Sequence, residues 1–291
     1  MNETTGTLYV MATPIGNLKD ITYRGVEVLK KVDGIIAEDT RESKKILEEY
    51  GIDTPFTRSY YQGASDRVQW YIEKIKEGKN FALISDAGTP LISDPGFELV
   101  RAAKRASISR VPVPGANAAI SALSVSGLPT DSFIFDGMLP RKEAKKRKYL
   151  ESLKNQKRTI VLYESPHRIV ESLEMMGEIL PERQIALCRE MTKLHEEILE
   201  GTSSQVINRL TEEGVRGEMT LVIEGASEGE IKRRKKEKYS GLSFSDQLDA
   251  LMNIKKLSRK EAMKRIAELR GMSKNEVYER LLEEKEDRGK Y

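Results

Sequence analysis

Five polar loops, each following a short apolar run, carry residue types from which a ligand site can be built. The richest is ISDAGTPLISDPG, Ile84–Gly96, where Asp86 and Asp94 stand among Gly88, Pro90, Pro95 and Gly96. Carboxylates in such a loop pair with an ammonium or the hydroxyls of a ligand, or they cap helix and turn termini. ATPIGNLKDIT, Ala12–Thr22, holds Pro14 and Gly16 in a tight turn whose backbone can face a ligand, although such turns also serve as plain connections. In VPVPGANAAISAL, Val111–Leu123, Gly115 and the small residues after it let a ring or backbone approach closely, or pack a helix N-terminus on a sheet. AEDTR, Ala37–Arg41, offers Glu38, Asp39 and Arg41, while YESPHR, Tyr163–Arg168, offers Glu164, His167 and Arg168. Such acid-plus-arginine turns suit a polyanion gripped by arginine with a hydroxyl oriented by a carboxylate, or equally a salt-bridged interface.

Other chemistries lack their signatures. The phosphate loop G-x-x-x-x-G-K-[ST] is missing, as are H-E-x-x-H, C-x-x-C and G-x-S-x-G. One cysteine, Cys188, and two isolated histidines supply neither a disulfide framework nor a zinc cluster, and His195 in KLHEEIL reads as a surface residue. A metal-independent protein is expected.

Positioning these loops requires a layered scaffold. The 291 residues suggest two domains and a small extra module. Apolar runs at Leu8–Met11, Gly34–Ala37, Phe81–Ser85 and Ser109–Val113 read as strands. They alternate with helical patterns at Ile21–Lys31, Thr40–Tyr50, Asp66–Glu77 and Gly96–Ala106. Alternation of this kind predicts an α/β domain with a largely parallel sheet over residues 1–115. A second α/β domain is expected over 116–226, with strands at Phe133–Gly137, Thr159–Tyr163, Gln184–Arg189 and Thr220–Glu224. Ligands bind beyond the carboxyl ends of strands in open sheets, which is where these loops fall.

The net charge of +3 is unevenly spread. Residues 226–291 carry 18 basic and 13 acidic side chains, and the excess concentrates in IKRRKKEKYS, Ile231–Ser240. Residues 227–242 are read as a basic linker, either a solvated tether or a nucleic-acid contact. Three helices are expected over 243–291; Ser258 and Ser273 each begin an S-[RK]-x-E cap, with Glu261 and Glu276 completing them, and Gly271 ends the middle helix. No apolar run is long enough for a membrane span, and the N-terminus lacks the basic-then-apolar order of a secretory signal, so a cytoplasmic protein is expected.

Taken in order, TPIGNLKDIT, AEDTR, ISDAGTPLISDPG, VPVPGANAAISAL and YESPHR resemble the tetrapyrrole (uroporphyrinogen-III and precorrin) methylase superfamily. Within it they are most similar to the bacterial enzymes that methylate a cytidine ribose 2′-hydroxyl in 16S ribosomal RNA of the small subunit. The resemblance runs from about Thr7 to Gly225, and SRKEAMKRIAELRGMSKNEVYERLLEE resembles the small terminal module of those enzymes. It implies two α/β domains with S-adenosylmethionine (S-adenosyl-L-methionine) in the cleft between them, a homodimer, and ribosomal RNA or the assembled 30S subunit as partner. The cofactor would be held by Pro14, Ile15 and Gly16, by Asp86, Ala87, Gly88 and Thr89, and by Ala116 and Asn117. Leu162, Cys188, Met219 and Thr220 would complete the site from the second domain. Asp39 and Glu164 are the candidate catalytic carboxylates, and Arg41, His167 and Arg168 the candidate substrate contacts. One departure stands out: where the family shows a His-Glu-His-Asn-like string, this chain has SYYQGASDR, Ser59–Arg67, with Tyr60, Tyr61 and Gln62 in place of those groups. Two rival functions are methylation of a tetrapyrrole or other small substrate, and RNA-binding assembly without catalysis. The basic helix Arg141–Leu153 favours a polyanionic substrate, and the intact ISDAGTPLISDPG loop favours catalysis.

Overall fold

The computed structural model describes residues 5–57 and 65–288. The Tyr60–Gln62 departure lies outside the described residues. The chain divides into two compact units, one reaching Leu153 and resuming over Arg158–Gly225, the other holding Lys154–Lys157 and everything from Ala226 onward.

The larger unit contains two sheets. Strands β1 (Thr7–Met11), β2 (Gly34–Ile36), β3 (Phe81–Ile84) and β4 (Ser109–Val113) form an all-parallel sheet in the order β2-β3-β1-β4. Helices α1 (Tyr23–Lys31), α2 (Thr40–Glu49), α3 (Ser65–Lys76) and α4 (Phe97–Arg105) connect and cover it. The period-2 alternation of β3 explains why both faces are dry. Phe81 and Leu83 pack with Tyr71, Ile75 and Leu99 from α3 and α4, while Ala82 and Ile84 pack with Leu29, Ile46 and Leu47 from α1 and α2.

Helix α5 (Ala118–Val125) leads into the second sheet, which has the order β5-β6-β9-β7-β8. Its strands are β5 (Phe133–Met138), β6 (Thr159–Glu164), β7 (Ile185–Arg189), β8 (Glu197–Gly201) and β9 (Met219–Ile223). Only the β5–β6 pair is parallel. One face buries Ile160, Leu162, Leu187 and Leu221 against α7 (Ile169–Ile179) and α8 (Ser203–Glu213), and α6 (Glu143–Ser152) adds Leu150. The opposite face buries Val161, Ala186, Cys188 and Val222 beneath Ala119, Ala122 and Leu123 of α5. Strand β8 was not expected: it lies at the sheet edge, buries only Leu199, and carries the charges of Glu197 and Glu200, a usual protection of an edge strand.

In the smaller unit, residues 227–242, expected as a linker, contain helix α9 (Glu228–Ser240). Its first turn is capped by Ser227, whose hydroxyl accepts the Glu230 N–H at 3.0 Å. Arg234 pairs with Glu230 and also donates to the Lys154 carbonyl, while Lys157 meets Glu228 at 3.2 Å, so the short 154–157 segment is tied to this helix. Helices α10 (Phe244–Lys255), α11 (Arg259–Arg270) and α12 (Lys274–Arg288) surround a core of Leu248, Leu251, Ile266, Val277 and Leu281. Ser258 and Glu261 form a complete capping box, and Gly271 ends α11 in the left-handed conformation (φ 67°). Among the described residues no helix is long and apolar enough to cross a membrane, and no cluster of three metal-ligating side chains occurs.

Candidate functional site

The loops that follow β1, β3 and β4 meet at one end of the first sheet because parallel strands all point the same way. They are stitched together by backbone. Thr13 N–H donates to the Gly88 carbonyl at 2.9 Å and Gly88 N–H returns the bond to Thr13 at 3.1 Å. The Thr13 hydroxyl also donates to the Ser85 carbonyl at 2.9 Å, and the Thr89 hydroxyl donates to the Ala116 carbonyl at 3.2 Å. Gly88 has φ 82°, a conformation that favours glycine, and a Cβ there would sit 3.3 Å from Ile15 Cγ2, a tight contact that Ile15 would have to relieve. Leu91 and Ser93 hold left-handed conformations (φ 72° and 68°) without being glycine, at about 1–2 kcal/mol each. Such strain persists only where surrounding structure enforces it, and it turns Ser93 and Asp94 toward the same space.

Facing these loops are the end of β6 and the start of β9, paired so that Tyr163 lies opposite Thr220 and Glu164 opposite Met219. Between them is a cavity of about 460 Å³. Ile15, Asp86, Ala87, Gly88, Thr89, Ser93, Asp94 and Asn117 line it from the first set of loops. Met138, Tyr163, Glu164, Met219 and Thr220 line it from the second sheet, with Met191 from the turn after β7. The two sets are joined directly, since Asn17 N–H donates to the Thr192 hydroxyl at 3.1 Å.

The electrostatics are one-sided. Burial, followed by the negative charges of Glu38 and Asp86, pushes the Asp94 carboxyl up to about 6. Burial likewise raises Asp86, against the opposing effect of the Asp39 N–H that donates to its Oδ1 at 3.0 Å. Glu38 is raised by burial and by Asp86 and Asp39. Among the described residues neither Asp86 nor Asp94 has an ion-pair partner. A partly desolvated cavity edged by uncompensated carboxylates favours a ligand that brings positive charge.

Of the residues singled out in the sequence, Ile15, Asp86, Ala87, Gly88, Thr89, Asn117, Glu164, Met219 and Thr220 come together around this cavity. Others fall just outside it. Pro14 is buried behind the turn, Gly16 is exposed beside Lys193, and Ala116 contributes the carbonyl that anchors Thr89. Leu162 and Cys188 do not line the cavity. Leu162 points into the core under α7 and α8, and Cys188 lies beneath α5, where burial raises its thiol to about 12.

The two candidate catalytic carboxylates are heavily engaged. Asp39 caps α2, accepting the Arg41 N–H at 2.8 Å and the Arg41 guanidinium at 2.6 Å. The guanidinium holds its carboxyl down to about 2. Glu164 is buried and accepts the Ser165 N–H at 2.9 Å and the Ser172 hydroxyl at 2.8 Å, with Arg168 at 3.3 Å. Arg168 also donates to the Leu139 and Pro140 carbonyls at 2.8 and 3.0 Å, which ties the end of β5 to the end of β6. Arg41 and His167 are exposed. Sequence reasoning missed Met138 and Met191: one ends β5 and the other lies two residues past β7, and nothing local marks either as facing a cavity.

Comparison with known proteins follows the same lines. The family model described as Tetrapyrrole (Corrin/Porphyrin) Methylases matches residues 7–207. The Ribosomal RNA small subunit methyltransferase I of Bacillus subtilis (strain 168) is 43% identical over 274 residues, covering 94% of this chain and 93% of that protein. The protein of the same description from Haemophilus influenzae is 44% identical over 282 residues, covering 96% and 97%. Among solved structures, a cobalt precorrin-4 methyltransferase matches with TM-score 0.58 at 17% identity, covering 77% of this chain and 97% of that one. A diphthine synthase matches with TM-score 0.57 at 14% identity, covering 75% and 89%.

Proposed function

Because the chain belongs to the tetrapyrrole (corrin/porphyrin) methylase family, we propose that it methylates a cytidine ribose 2′-hydroxyl in 16S RNA of the small ribosomal subunit, with S-adenosylmethionine as methyl donor. The observation that carries the RNA reading is the extent of the likeness. Relatives named for small-subunit ribosomal RNA match 94–96% of this chain in the two cases above, whereas the precorrin and diphthine structures match 75–77%. The intact carboxylate-edged cavity supports catalysis over mere RNA binding.

The residues present fit the donor. A sulfonium and an ammonium are both cationic, and Asp86 and Asp94 supply negative charge that no cation among the described residues pairs with. Thioether and aliphatic surface from Met138, Met191, Met219 and Ile15 suits the remainder. When bound, the donor supplies an activated methyl for in-line displacement by an oxygen. The chain's own task is to place that oxygen, exclude water and let its proton leave. Asp39 holds Asp86 through its backbone N–H and fixes Arg41 with its carboxylate. Glu164, with Ser172 and Arg168, sets the shape of the cavity wall. With these partners, both carboxylates serve in this reading as positioning groups, while Arg41, oriented by its pair with Asp39, and the exposed His167 are placed to meet RNA phosphate.

A cytoplasmic homodimer belongs to the same reading. Exposed apolar side chains on α5 and β5, namely Ile120, Val125, Phe133 and Met138, support self-association. The division of residues 1–226 into α/β domains at 115/116 is part of it too, with one sheet on each side of that point. The test is to incubate the protein with labelled donor and, separately, 30S subunits, free 16S RNA and a tetrapyrrole. The expected product is a single alkali-resistant cytidine linkage, as a 2′-O-methyl group prevents cleavage there. Label confined to tetrapyrrole, or to a base, would overturn the assignment.

A further inference from the structure

Two helices of the smaller unit repeat one pattern fifteen residues apart. In α11 and α12 a capping serine (Ser258, Ser273) is followed by a cation (Arg259, Lys274) and then a polar residue (Lys260, Asn275). Next come the capping glutamate (Glu261, Glu276), a fully buried Ala262 or Val277, and Met263 or Tyr278. Packing of α11 on α12 brings the two first turns together. Arg259, Lys260, Met263, Lys274, Asn275 and Tyr278 thereby line one groove of about 480 Å³. Met263 is buried in its floor, and Tyr278 is 50% exposed at its edge.

The ordinary account of such cations is a solvated helix surface. The repeat itself argues against it. One turn further along, each helix pairs its arginine internally, Arg265 with Glu268 at 2.7 Å and Arg280 with Glu283 at 3.0 Å. Among the described residues, Arg259, Lys260 and Lys274 have no ion-pair partner. They also occupy the first turns, where the helix dipole opposes positive charge, whereas a surface cation placed for stability belongs at the other end. Unpaired cations converging on a concave surface with an exposed aromatic ring match the chemistry of nucleic acid: phosphates for the charges and a base face for the ring.

We infer that this groove is an RNA-binding surface, with Arg259, Lys260 and Lys274 contacting backbone phosphates and Tyr278 stacking on a base. The inference rests on the reading that the substrate is ribosomal RNA, and it names a part of the chain that holds that RNA.

The test uses the full chain and fluorescent fragments of small-subunit RNA, with anisotropy measured across a range of salt. The charge-removing variant Arg259→Ala/Lys260→Ala/Lys274→Ala should weaken binding by about tenfold or more and lower the log–log salt slope by about 2. Tyr278→Ala should weaken binding roughly fivefold with little change in slope. The paired-arginine control Arg265→Ala/Arg280→Ala should change neither, and the charge-keeping variant Arg259→Lys/Lys260→Arg/Lys274→Arg should bind like wild type, which separates charge from folding. In methyl transfer, the charge-removing variant should raise KM for RNA and leave kcat and donor affinity unchanged. An unchanged slope and KM in that variant, or an equal loss in the control, overturns the groove. So does cation-dependent binding to phosphatidylserine vesicles with indifference to RNA. Wild-type protein that binds RNA through the groove but methylates none overturns the proposed substrate and leaves the groove standing.

Discussion

At the scale of single residues, the cavity trades stability for charge. A carboxyl raised on folding binds its proton more tightly in the folded state, so the protein loses stability as pH climbs from 3.8, the ordinary Asp94 value, to about 6. Asp94→Asn removes that loss. The variant should therefore melt at a higher temperature than wild type above pH 6 and at a similar temperature near pH 4, as thermal melts across that range would show. It should also bind S-adenosylmethionine about tenfold more weakly at pH 8, the scale of one lost charge interaction of 1.4 kcal/mol. Wild-type affinity should itself decline as pH drops below about 6 and Asp94 takes up its proton. A lower melting temperature for the variant at pH 8 would show that the carboxylate serves folding and not the ligand. Asp39 has the opposite sign. Held down to about 2 by Arg41, it stays ionised until strong acid and is a poor acceptor for a hydroxyl proton. Asp39→Ala and Glu164→Gln should accordingly alter RNA affinity and donor affinity more than the pH profile of single-turnover transfer. A lost ionisation in that profile would restore a general-base role to either group.

At the scale of elements, local signals were legible and edge or face choices were not. The Ser258–Glu261 box and the Gly271 stop can be read from sequence because a cap depends on a few consecutive residues, and the structure has both. Ser258→Ala should destabilise the smaller unit by about 1 kcal/mol, measurable as reduced amide-exchange protection in α11 with α7 unaffected. Strand β8 escaped notice because its single buried residue, Leu199, leaves no alternation to detect among charged neighbours. The basic run 231–240 has no apolar face of its own, so composition suggested a tether where the chain forms α9. Leu162 and Cys188 show a further limit. Both sit on strands that approach the cavity, and Cys188 even pairs with Thr220, which lines it. Leu162, however, faces the side of the sheet covered by α7 and α8, and Cys188, at the register of Thr220 but one strand over, is covered by α5.

At the scale of the whole molecule, every residue lining the carboxylate-edged cavity belongs to the larger unit and every residue lining the basic groove belongs to the smaller one. Calorimetry should resolve two unfolding transitions, because each unit has its own core. S-adenosylmethionine should shift only the transition of the larger unit, by about 2.7 kcal/mol at a concentration one hundred times its Kd. A shift in both would mean that the units unfold as one. The sequence alone determined the alternation of strands and helices, the helix caps and the order of polar loops, since each depends on residues close along the chain. Tertiary structure alone decided which residues meet. Asp86 and Asp94 face Tyr163, Met191 and Thr220, and Arg259 and Lys260 face Lys274, because strand order and helix packing bring distant segments together. Spacing along the chain records nothing of that proximity. Burial, which raises Asp94, and ion pairing, which holds down Asp39, are likewise properties of the assembled fold.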